Sequence, residues 1–176
     1  MSHISLAASL PWLDLGRTPP LTVEDFRFSC SGTLSPVEFQ DLEMLLKAEL
    51  GPYATSFGRS WADLETQIRN ECARKRLPGL KEGFRMHRGY SVQAARVVMD
   101  AFHQETPLKR EWLLDKGRFV LLDELIGLDH LGLERILAFA GQLRLVHRWE
   151  VFDEQRGQER FRNLVERTVE QAWERR

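Results

Sequence analysis

Five histidines, two cysteines and a scatter of carboxylates are the residues of this 176-residue sequence with chemistry beyond plain charge. His3, His87, His103, His130 and His147 form no HExxH pair and no Cys/His pairing, so their spacing supplies no zinc site. The densest acid and histidine group is Asp123, Glu124, Asp129 and His130. Such a set has the ligands for a metal and the groups for proton exchange; the commoner use of these residues is as polar ends of helices and loops. Cys72 falls in an apolar stripe, where a thiol behaves as a small buried hydrophobe, and Cys30 has no identifiable His partner. No GxSxG elbow, P-loop or GxGxxG segment is present. These patterns identify no catalytic residue, no cofactor and no metal.

The arginines are more informative. Between Arg69 and Arg88 lie Arg69, Arg74, Lys75, Arg76, Lys81, Arg85 and Arg88 against only Glu71 and Glu82. That segment suits phosphate or RNA, with Phe84 and Tyr90 for stacking. It equally suits an acidic protein surface, or a helix end whose cations face the negative pole of the helix. Arg144 sits among Leu133, Ile136, Leu137, Ala140 and Leu143, with His147 a turn later. A guanidinium on an apolar face needs a partner, and Asp123 or Glu124 on the preceding helix are the candidates. The expected role is a core ion pair that sets helix register; a catalytic role and contact with another protein are the competing readings.

These residues need helices to carry them. Ile4 to Leu15 alternates loosely before the turn-rich stretch 16–20, which predicts an extended arm or short strand. Thr22 with Asp25, and Ser35-Pro36-Val37-Glu38, are helix starts. Phe39, Leu42, Leu46 and Leu50 continue the second of these up to Gly51-Pro52. From about Ser60 to Leu77, Trp61, Leu64, Ile68 and Cys72 share an arc of about 80° at about 100° per residue. Asp63, Gln67, Asn70 and Arg74 take the opposite face, and Glu65 and Arg69 form an i,i+4 pair. Further helices are expected over Val92–Phe102, from Pro107 with Trp112, Phe119, Leu122 and Ile126, and from Leu133 after the 127–132 turn. A last one is capped by Asp153 and carries Phe161, Leu164, Val165 and Ala172.

The expected fold is all-α: a single bundle-like domain over 1–176, with six or seven helices and an extended arm at 1–21 packed on it. Hydrophobic residues make up 43% and charged residues 29%, which supports a packed core rather than a disordered chain. The 25 Lys and Arg against 26 Asp and Glu exclude a strongly basic DNA-binding domain. No apolar run reaches the roughly 18 residues of a membrane span, and the two distant cysteines suit a reduced, cytoplasmic setting.

Three blocks resemble a family of bacterial proteins encoded beside V-type ATP synthase subunits. They are Leu6-Ala7-Ala8-Ser9-Leu10-Pro11, then Asp63 to Asn70 with Ala73-Arg74, then Leu133 through Leu143-Arg144 to Arg148-Trp149. The last continues into Asp153-Glu154 and Gly157 to Phe161. The resemblance implies a non-catalytic accessory or stalk component of a rotary ATPase. It extends at most distantly to the helical funnel of the central stalk, which seats the rotor axle on the membrane ring. It implies V-type ATP synthase subunits as partners, with a cytoplasmic or peripheral location and no direct membrane insertion. It offers Arg69, Asn70, Arg74, Arg144, Arg148 and Trp149 as partner contacts. The competing expectations are an RNA- or phosphate-binding protein using Arg69–Arg88, and a small metal enzyme around Asp123, Glu124 and His130.

Overall fold

A Ser or Thr hydroxyl accepting a backbone N–H starts each of the first six helices. The caps are Ser2, Thr22, Ser35, Thr55, Ser91 and Thr106. The computed structural model describes residues 2–79 and 82–150. Among these, the helices are α1 (His3–Ser9), α2 (Val23–Ser31), α3 (Pro36–Lys47), α4 (Ser56–Arg76), α5 (Val92–Phe102), α6 (Pro107–Glu124) and α7 (Leu133–Glu150). The described chain is all-α. The helix expected after Asp153, with Phe161, Leu164, Val165 and Ala172, lies outside the described residues, as does Lys81.

Helix α7 is the axis. Every residue from Ile136 to Val146 except Arg144 is buried, so it is apolar around nearly its whole circumference rather than along the single face its leucines suggested. Helices α1, α3, α4 and α6 surround it, and α5 packs on α4 and α6. Phe26 of α2 meets Phe139 of α7 with ring centroids 4.9 Å apart. Close approach needs a missing side chain at Gly117, where a Cβ would run into both γ-carbons of Val97. The α5–α6 packing depends on that gap.

Three expectations are corrected. The N-terminal segment is not extended throughout: His3–Ser9 is helical, because Ser2 caps it and it lays Leu6 and Ala7 into the core. Only the stretch after it runs without a helix, tied down by buried Leu13. Helix α3 ends at Lys47, short of Leu50, since Ala48 turns left-handed (φ 57°) and Glu49 N–H bonds back to the Met44 carbonyl at 2.9 Å. Helix α4 starts before Ser60, because buried Asp41 accepts from the backbone N–H groups of Ala54 (3.0 Å) and Thr55 (2.7 Å) and sets Thr55 as the cap.

Candidate functional site: an arginine-rich cleft

At about 100° per residue, α4 carries three faces. Phe57, Trp61, Leu64 and Ile68 face the core. Asp63, Gln67, Asn70 and Arg74 form a second face, and Glu65, Arg69, Cys72 and Arg76 a third.

The second face is no solvated surface. It holds the connector between α4 and α5 by its backbone. Gln67 donates to the Ser91 carbonyl (2.7 Å) and accepts from the Ser91 N–H (2.8 Å). Asn70 does the same to Arg85, at 2.7 and 3.1 Å. Asp63 accepts from the Arg88 N–H at 2.9 Å. Each carboxamide thus imitates a strand partner for an extended chain that has none. Arg74 pairs with Glu71 and lies over the Phe84 ring, 4.4 Å from its centroid. Phe84 is therefore covered rather than free for a base, although Tyr90 is exposed.

The third face opens on a cleft of about 500 Å³ between α4, α6 and α7. Along it runs a ladder of alternating charges. Arg69 donates to Glu65 at 2.7 Å, and Arg118 meets Glu65 at 2.8 Å and Asp115 at 3.0 Å. Arg148 bonds Asp115 at 2.8 Å and reaches Glu111 at 3.4 Å, as does Arg76. The Trp149 indole N–H also donates to Asp115, at 2.9 Å. The middle rungs, Glu65, Asp115 and Arg118, are shielded from water, while Arg69 and Arg76 are exposed at the ends. Leu50, Trp61, Leu77 and Leu114 supply apolar wall.

Burial alone pushes the Glu65 carboxyl up, but Arg118 and Arg69 outweigh it and hold the group below its ordinary value. Arg118 is held above its ordinary value, Glu65 and Asp115 overcoming the effect of burial. The Cys72 thiol in the same cleft is pushed up by burial, and Cys30 in the core is pushed up to about 12. A Glu65 carboxylate held ionised in this way is a poor proton carrier near neutrality. The arrangement suits recognition of charge.

Of the six expected contact residues, the fold brings Arg69, Arg144 and Arg148 to this cleft and ties Trp149 to its Asp115. Asn70 and Arg74 point away, onto the connector. Asp123 and Glu124 are not the partners of Arg144. The acids whose fields act on it are Glu65 and Asp115, which lie on the side of α7 where Arg144 emerges. Asp123, Glu124 and His130 are each exposed, and among the described residues no group of three or more His, Cys, Asp or Glu could hold a metal. Sequence reasoning missed Glu111, Asp115 and Arg118. Their signal was available: i,i+4 and i,i+3 spacing of charges on a helix that also carries Trp112, Leu114 and Leu122.

An all-α protein with an arginine-rich ion-pair cleft is the class that fold and site define. Residues 89–172, slightly less than half of the chain, match the model of a family described as protein of unknown function, DUF2764. That match covers α5, α6 and α7, and so Glu111, Asp115, Arg118, Arg144 and Arg148 of the cleft. Searches of curated proteins and of solved structures return no match. Among the described residues, no helix is long and apolar enough to cross a membrane.

Proposed function

We propose that this chain is a non-catalytic accessory or stalk component of a bacterial V-type rotary ATPase, acting at the cytoplasmic side by protein–protein contact through the α4/α6/α7 cleft. One observation carries the reading. Arg69 lies in the middle block that resembles the ATPase-associated family, and Arg144, Arg148 and Trp149 lie in its C-terminal block, yet all four gather around one cleft. Residues placed for local reasons alone have no cause to converge from two helices, α4 and α7, so far apart in the chain. Arginine and tryptophan also suit contact, since both combine large area with directional hydrogen bonds.

Co-expression with the neighbouring ATPase subunits, followed by purification through a tag on this chain, tests the proposal. The expected result is stoichiometric recovery of at least one ATPase subunit. Arg69→Gln, in the cleft, weakens that recovery, whereas Arg74→Gln, on the connector face, leaves it intact. Failure of the wild-type chain to retain any ATPase subunit overturns the proposal.

A further inference from the structure

In the ladder every acid is shared by at least two cations, but Arg144 has no acid of its own. Its Nε is buried without a hydrogen-bond partner, and none of its nitrogens pairs with an acid among the described residues. Two other side-chain nitrogens share this burial, and neither is in the same position. Arg110 lies over the Phe102 ring, 4.6 Å from its centroid, and His147 uses its other ring nitrogen on Glu150. Arg144 alone combines a charge that cannot be shed with an open cleft in front of it.

The charge count gives the charge that suits the cleft. Four arginines and three acids of the ladder leave one positive charge, Arg144 adds a second, and Glu49 at the rim cancels one. A single negative charge balances the cleft. A doubly charged group brings one negative charge more than the cleft's cations leave over. The apolar wall of Leu50, Trp61, Leu77 and Leu114 accommodates the body of a ligand whose head is anionic.

We propose that the cleft is a receptor for one carboxylate group, with Arg144 as the residue that binds it through paired N–H donors. The carboxylate belongs either to a free monocarboxylic acid or to an Asp or Glu side chain of a docked partner. Both present the same head group to Arg144. The charged form of Arg144 is also disfavoured in the free protein: burial lowers its pKa, Arg118 and Arg148 add to that, and the pull of Glu65 and Asp115 falls short. An arriving carboxylate relieves that burden, and this is the physical source of the affinity.

The probes are benzoate, acetate and inorganic phosphate, titrated at constant ionic strength into the full chain with calorimetry and arginine side-chain NMR. Benzoate is expected to bind saturably, acetate more weakly for want of an apolar body, and phosphate more weakly than benzoate. Arg144→Gln should lose about tenfold or more of the benzoate affinity, with Arg144→Lys intermediate because it keeps the charge without the fork. Arg144→Met should melt at the same temperature as wild type or higher, since a charge without a partner has been removed. A structural ion pair would lower it. Absence of saturable benzoate binding, unchanged binding in Arg144→Gln, tighter phosphate than benzoate, or a clear fall in the Arg144→Met melting temperature overturns the proposal.

This titration needs no partner, so it fails or succeeds independently of the ATPase reading. A second arm adds benzoate during purification of the ATPase complex. Loss of co-purification identifies the carboxylate as the partner's side chain, and unaffected co-purification identifies it as a free acid.

Discussion

The two polar faces of α4 solve the same problem in different ways. On the connector face, Gln67 and Asn70 each meet the N–H and C=O of one residue, and Asp63 accepts one further backbone N–H. On the cleft face, charges are shared along a ladder and the sum does not close, because Arg144 stands behind it unpaired. A neutral carboxamide presents a donor and an acceptor side by side, which the C=O and N–H of a single residue can meet. Guanidinium and carboxylate groups attract over distance, so a cluster can be held together while retaining a surplus. The first face is scaffold. The second has capacity to spare.

Perturbing each face tests that contrast. The largest effect is expected from Asp115→Asn, which removes the charge that meets Arg118 and Arg148. Loss of about 3–5 kcal/mol is expected, read by urea unfolding, because it leaves Arg118 with only Glu65. An effect below about 1 kcal/mol would mean that the ladder is a solvated surface network.

Acid should act on the cleft face. The folded-state pKa of Glu65 lies below its ordinary value of 4.5. Its contribution is therefore fully present above about pH 4.5 and is lost as pH falls through the folded value. Unfolding of wild type and Glu65→Gln compared over a pH series should show the gap between them closing on acidification. A gap independent of pH would contradict the assignment.

On the connector face, Asn70→Ala should cost about 1–2 kcal/mol, since it removes two hydrogen bonds to one exposed loop residue. Hydrogen exchange at the Arg85 amide should accelerate while benzoate affinity stays unchanged. Coupled loss of both would deny that the faces are independent. The smallest effect belongs to Arg74→Ala, below about 1 kcal/mol, because its pair with Glu71 and its ring contact are both half exposed.

The local features were legible. Thr22 and Ser35 cap as their side chains require, the capping box at Ser35 and Glu38 forms in full, and α5 runs over Val92–Phe102. Each is decided within four residues of chain. The Glu65–Arg69 pair was readable for the same reason, being one helical turn long. The first helix was missed because Pro11 and the turn residues after Leu15 dominate the pattern, while its stabilisation comes from burying Leu6 and Ala7 against α7.

The partners of the charges across helices were not legible. Arg118 and Glu65 lie 53 positions apart, and Arg148 and Asp115 lie 33 apart. No local preference couples such residues, so sequence spacing pointed Arg144 toward the nearest acids on the preceding helix and away from the right ones. By itself the sequence determined where α2, α3 and α5 start, that the described chain is all-α, and that Arg144 is out of keeping with its apolar neighbours. Only the tertiary structure decided which charges meet, because ion-pair geometry depends on the rotation of α4, α6 and α7 about their axes. That rotation is set by the packing of the whole core around α7, and it leaves one guanidinium over, facing an open cleft.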